Sequence, residues 1–166
     1  MEKSNVVLIG MPGSGKSTVG VILAKELCMD FLDTDVLMQR SMNMPLQNIY
    51  DRYGVDGFLG IEARTVMGLG VANTVVAPGG SVVLNPAVMA SLGNAGEIVF
   101  LDVSIDIITR RIDLLSRGTV RKAGETLDDV WRFREPLYRL YADITIDCGT
   151  MNQNEIVRRI VSGLNG

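Results

Sequence analysis

The chain predicts an α/β fold built on a five-stranded parallel sheet with helices on both faces. Short apolar runs alternate with longer segments of helical spacing along the whole sequence. The first run, Asn5 to Ile9, is continuous and rich in Val and Ile, as expected of a strand buried on both sides. A glycine-rich turn, Gly10 to Gly15, separates it from an amphipathic segment.

Each element follows in order. Ser17 to Leu27 places Val19, Leu23 and Leu27 at helical spacing, with Ala24 beside them. Met29 to Asp33 reads as the second strand. Val36 to Leu69 reads as helices broken near Asn43-Met44-Pro45 and near Tyr53-Gly54. Thr74 to Ala77 is the third strand, followed by Pro78-Gly79-Gly80. Asn85-Pro86 has the form of an N-cap with proline at the first helical position. Glu97 to Leu101 is the fourth strand, and Ser104 can cap a helix running to Ser116. Arg117 to Gly124 is polar and without apolar periodicity. Thr126 and Asp129 can open a helix that reaches Tyr141, and Ile144 to Ile146 is the fifth strand. Thr150-x-x-Gln153 has capping-box form before a last helix ending near Gly163. In such folds ligands collect at the C-terminal ends of the strands.

Composition excludes several classes of function. The 166 residues carry a net charge of −3 with no run of Lys or Arg, so no nucleic-acid surface is expected. The chain has no histidine, which removes Ser-His and Cys-His catalysis and any histidine metal site. Cys28 and Cys148 have no metal-site spacing and read as two buried thiols in a reducing cytoplasm. The apolar run near the N-terminus is too short for a signal peptide or a membrane span. A cytoplasmic, monomeric protein of one domain spanning residues 1–166 is expected.

Gly10-Met11-Pro12-Gly13-Ser14-Gly15-Lys16-Ser17 fits the phosphate-loop pattern Gly-x-x-x-x-Gly-Lys-Ser/Thr, between an apolar strand and a helix. Glycines let the backbone turn its N–H groups into one concavity at a helix N-terminus, where an anion is favoured. Gly13, Ser14, Gly15, Lys16, Ser17 and Thr18 are the candidate nucleotide-binding residues. Lys16 is expected to reach the β- and γ-phosphates, and the Ser17 hydroxyl to bind Mg²⁺. A GTPase would carry an Asn-Lys-x-Asp motif, which is absent. Asp102, after Val99-Phe100-Leu101, reads as a strand-end residue capping the next turn rather than the acidic pair of a motor ATPase. Asp33-Thr34-Asp35 puts two carboxylates at the end of the second strand. One can hold a water on Mg²⁺ and the other can take a proton from an attacking hydroxyl. A solvated turn capping the next helix is the alternative there.

With these motifs in this order, the chain resembles the shikimate kinase family from about Asn5 to Leu164. The phosphate loop and Asp33-Thr34-Asp35 are joined by Phe58-x-x-x-Glu62, Gly79-Gly80, Arg117, and Arg134-Glu135-Pro136-Leu137-Tyr138 before Ala142-Asp143. The resemblance implies a P-loop NTPase three-layer sandwich, acceptor-binding helices at about 36–69 and a lid at about 115–125. It implies MgATP as phosphoryl donor and a small hydroxylated carboxylate, shikimate first, as acceptor. Lys16, Asp35 and Arg117 would be catalytic. Ser17 and Asp33 would serve the metal, and Arg110 would lie near adenine. Asp35, Glu62, Gly79, Gly80, Ser81 and Arg134 would form the acceptor site, with Arg134 on the carboxylate. Arg121 or Lys122 could add charge from the lid.

The acceptor side departs from the family. The family's Phe-Arg-x-x-Glu reads Phe58-Leu59-Gly60-Ile61-Glu62, its third glycine is Ser81, and its lid Arg-Pro-Leu-Leu reads Arg117-Gly118-Thr119-Val120. The missing arginine leaves Glu62 without its partner in the motif, and a buried carboxylate needs a cation or a shifted pKa. Arg64 or Arg52 could supply the cation. So could the ammonium of a hydroxylated amino acid such as homoserine. A nucleoside monophosphate kinase suits the acidic cluster and short lid less well. A catalytically silent nucleotide-binding paralogue has no reason to keep Lys16, Ser17, Asp33 and Asp35.

Overall fold

The computed structural model describes residues 4–115, 120–121 and 124–166. Arg117, Gly118, Thr119 and Lys122, all expected in the lid, lie outside these residues. The strands are β1 (Asn5–Ile9), β2 (Asp30–Asp33), β3 (Thr74–Ala77), β4 (Gly96–Asp102) and β5 (Ile144–Asp147). The helices are α1 (Lys16–Leu27), α2 (Thr34–Met42), α3 (Leu46–Met67), α4 (Pro86–Ala95), α5 (Ile105–Leu115), α6 (Leu127–Tyr141) and α7 (Gln153–Leu164), with a 3₁₀ turn at Val82–Leu84.

The five strands form one parallel sheet in the order β2-β3-β1-β4-β5. Every residue of β1 is buried, as the continuous apolar run requires. Alternate side chains of the sheet meet different helices. A methyl at Gly20 of α1 would lie 2.5 Å from Phe31 and 3.4 Å from Leu8, and one at Gly163 of α7 would lie 3.2 Å from Ile144. On the opposite face Phe100 stacks on Tyr138 of α6, and Ile98 lies beside Gly93 of α4. The result is three layers. Asn5 is the one polar residue of β1, and its amide is fully used: it donates to Val71 and Ala95 carbonyls and accepts from the Thr74 N–H.

The breaks fall where glycine, asparagine and proline suggest. Asn43 ends α2 in the left-handed region, and Pro45 precedes α3. Within α3, Gly54 adopts φ 66, ψ −175 and kinks the helix. A Cβ there would meet nothing within 4 Å, so backbone conformation and not space calls for glycine. Asn85 caps α4 and Thr126 with Asp129 forms the capping box of α6. The last helix differs from expectation. Its capping box is Asn152 with Glu155, because a Met151 N–H to Cys148 carbonyl bond of 2.8 Å keeps Thr150 in the preceding turn.

Two further readings are corrected. Cys28 is exposed, since it ends α1 at the surface in the left-handed region, whereas Cys148 is buried. Asp102 does not cap a turn through its carboxylate but accepts from Arg139 Nη2 at 2.5 Å. Among the described residues no helix is long and apolar enough to cross a membrane.

The apolar residues form two clusters. The larger surrounds the sheet. The smaller joins Met38 of α2 with Ile49, Phe58 and Ile61 of α3, and Val120 packs against it. Parallel strands place the Gly10–Gly15 loop, Asp33-Thr34-Asp35 and Pro78-Gly79-Gly80 at the same edge of the sheet, the C-terminal one.

Candidate active site

The phosphate loop turns on glycines at positive φ, Gly13 at 81° and Gly15 at 99°. Gly15 is also the N-cap of α1 and offers no side-chain acceptor, so the first N–H groups of that helix are left for a ligand. Ser14 is buried and its hydroxyl has no partner, an orphaned polar atom inside the loop. Lys16 folds back over the loop, donating to the carbonyls of Gly10 at 2.8 Å and Met11 at 3.0 Å. Burial pushes its ammonium down to about 8, against the opposing pull of Asp35, Asp33 and Glu62. The loop is shaped for an anion that would take over these donors.

Ser17 donates to Asp33 Oδ2 at 2.6 Å, so hydroxyl and carboxylate already meet. Asp33 Oδ1 accepts from the N–H groups of Asp35 and Val36 and caps α2, so the capping and chemical readings of this aspartate both hold. Oxygen donors of this kind suit a hard divalent cation. Among the described residues there is no cluster of three or more carboxylate, thiol or imidazole ligands. A cation here would therefore take most of its ligands from phosphate and water, as a nucleotide-bound metal does.

Gly79 joins the two carboxylates of the acceptor side. A Cβ on Gly79 would lie 2.2 Å from Glu62 Oε1 and 3.0 Å from Asp35 Oδ1. One at Gly80 would lie 2.6 Å from Pro12 and 3.1 Å from the Gly10 carbonyl. Gly79 thus touches the acidic residues and Gly80 touches the phosphate loop. The buried Tyr138 hydroxyl fixes this hinge point by donating to the Gly80 carbonyl at 2.6 Å.

Glu62 is 3% exposed, and the Ser81 hydroxyl donates to its Oε1 at 2.8 Å. Burial pushes the carboxyl up to about 7; the Ser81 bond opposes this, and the negative charge of Asp35 adds to it. No described arginine or lysine makes an ion pair with Glu62. Arg64 lies beside Gly60 and Arg52 over the ring of Tyr53, so neither supplies the cation expected of it. Arg134 is buried, gives Nη2 to the Val120 carbonyl, and leaves Nη1 without a partner. Beside Glu62 and Ser81 lies a cavity of about 120 Å³ whose other walls include Leu59, Ala63, Val82 and Val88.

Lys16, Ser17, Asp33, Asp35, Glu62, Gly79, Gly80 and Ser81 are thus gathered at one edge, and two further expected residues are exposed. Thr18 is exposed on α1. Arg110 is exposed and turned onto the Asp106 carbonyl of its own helix. Its neighbour Arg111 instead donates to the Gly13 and Ser14 carbonyls at 3.2 and 3.4 Å. Helical spacing signals this choice, because Arg111 lies three residues from the buried Ile108 and shares its face. Tyr138 lies four residues from Arg134 and was detectable in the same way. The bond from Ser81 to Glu62 joins residues 19 apart in sequence and had no local signal.

A family profile, described as shikimate kinase, matches residues 12–165. A shikimate kinase of Thermoanaerobacter pseudethanolicus is 34% identical over 161 residues, which cover 95% of this chain and 94% of that one. Among solved structures, a shikimate kinase from Acinetobacter baumannii in complex with shikimate superposes with a TM-score of 0.90 at 26% identity, covering 98% of this chain and 93% of that one. The shikimate kinase from Aquifex aeolicus superposes at 0.85 with 27% identity, over 98% and 96% of the two chains.

Proposed function

The chain belongs to the shikimate kinase family, and from that premise we propose that it transfers the γ-phosphoryl group of MgATP to a hydroxyl of shikimate, giving shikimate 3-phosphate. The observation that carries this reading is the Gly79-Gly80 junction. It has Asp35 and Glu62 on one side and the phosphate loop on the other, so an acceptor hydroxyl at Asp35 would lie next to a bound γ-phosphate.

The phosphates lie over Gly13 to Lys16, and Lys16 exchanges the Gly10 and Met11 carbonyls for phosphate oxygens. Ser17 and Asp33 would hold Mg²⁺, Asp33 through water, and the ion would supply charge neutralisation on the phosphates. Asp35 takes the proton of the acceptor hydroxyl as the new O–P bond forms and the bond to the bridging oxygen of ADP breaks. Arg134, with its unpartnered Nη1, pairs with the acceptor carboxylate. Arg117 would stabilise the moving phosphoryl group from the lid. The chain acts as a cytoplasmic monomer in which residues 1–166 serve as one catalytic domain.

The test is coupled ADP release with MgATP and shikimate, homoserine or no acceptor, with Lys16→Ala as control. Turnover with shikimate, lost in the control, supports the reading. Turnover confined to homoserine would assign the acceptor to the hydroxylated amino acids. Silence with both, alongside tight ATP binding, would favour the silent paralogue.

A further inference from the structure

Ser81 stands just before the 3₁₀ turn and is held there by a bond of 3.0 Å from the Leu84 N–H to its carbonyl. It is 4% exposed, and its hydroxyl is aimed at Glu62 Oε1. Glu62 has two places to go. One is against Gly79, where it lies now beside Asp35. The other is the cavity of about 120 Å³ on the Leu59 and Ala63 side. That volume would hold a carboxylate, since about 10–15 Å³ on the same measure already admits a water.

We propose that Ser81 is the positioning residue of the acceptor site: its hydroxyl keeps Glu62 against Gly79 and out of the neighbouring cavity, so that Glu62 and Asp35 face the acceptor together. The inference rests on the acceptor reading above. The charged groups acting on Glu62 are Lys16 of α1, Asp35 of α2 and Arg134 of α6, of which two attract and one repels. The Tyr138 phenol of α6 is also near enough to feel the Glu62 charge. Ser81 is the only hydrogen-bond donor to the Glu62 carboxylate among the described residues, which makes it the group that decides the orientation.

The first test is steady-state kinetics. Ser81→Ala is expected to raise the KM for the acceptor about tenfold or more, the size of a lost hydrogen bond to a charged group. The KM for ATP should stay near wild type. Ser81→Thr keeps a hydroxyl and should recover most of the loss. Leu59→Arg, placed in the Ser81→Ala background, brings a donor from the cavity wall and should recover it too. In a Glu62→Ala background Ser81→Ala should add no further loss. A second readout needs no acceptor. The ¹³C titration of the Glu62 carboxyl should move to higher pH in Ser81→Ala, because a bond that favours the charged form has gone. An unchanged titration together with an unchanged acceptor KM overturns the proposal. If the wild type fails to turn over shikimate, the acceptor reading falls, while the titration still decides what Ser81 does to Glu62.

Discussion

Glu62 carries its proton further into the neutral range than an ordinary carboxyl, and this has a consequence for stability. Its carboxyl is raised from 4.5 in the open chain to about 7 in the fold. Between those values the folded state holds a proton that the unfolded state has lost, so stability falls as pH rises through that window, by roughly 3 kcal/mol in all. Glu62→Gln should flatten this slope, and urea midpoints of both proteins at pH 5 and pH 8 would measure it. Asp35 is the proposed base, and on that reading Asp35→Asn should lower kcat by about 10²- to 10⁴-fold, the usual contribution of a positioned base, while ATP affinity measured by calorimetry is kept. At this scale the sequence was legible where a motif is local. Gly10 to Ser17 and Asp33 to Asp35 could be assigned because neighbours in sequence build those sites. Glu62 was readable as a carboxylate in need of a partner, but the partner, Ser81, depends on how α3 packs against the β3–α4 connection.

The strands and helices were legible from continuous apolar runs, from helical spacing and from the cap residues. The boundary that went astray, at the last helix, shows the limit of cap chemistry: Thr150 with Gln153 has the form of a box, yet a backbone turn holds Thr150 and the helix is capped by Asn152, two residues on. The kink in α3 is an element-scale device. Gly54→Ala should cost at least about 1 kcal/mol, since alanine must adopt φ 66 there, and thermal melts would show it as a lowered Tm without loss of any side-chain contact. Tyr138 acts between elements, tying α6 to the Gly80 carbonyl. Tyr138→Phe leaves that carbonyl unsatisfied and should cost about 1–3 kcal/mol in denaturant titrations, with a rise in the KM for the acceptor as the glycine pair loosens.

Over the whole molecule, the parallel order β2-β3-β1-β4-β5 brings the phosphate loop, Asp33-Thr34-Asp35 and Pro78-Gly79-Gly80 to one edge, and that placement follows from alternating strands and helices before any side chain is considered. The split of the apolar residues into two clusters could not be read from the sequence, since Met38, Ile49, Phe58 and Ile61 look like ordinary core positions on paper. The smaller cluster holds α2 against α3 with far fewer buried side chains than the sheet has. Hydrogen exchange should therefore find their amides opening at lower free energy than those of β1 and β4. This separation also bears on how such an enzyme changes its substrate over time. Substitutions in the smaller cluster can reshape what the site accepts while the sheet and its nucleotide loop stay as they are. Two enzymes of this architecture that traded the 34–67 segment would exchange Asp35 and Glu62 but keep their own Ser81 and Arg134, so on the proposed reading each would inherit only part of the other's taste in acceptors, with the engine that handles ATP left in place.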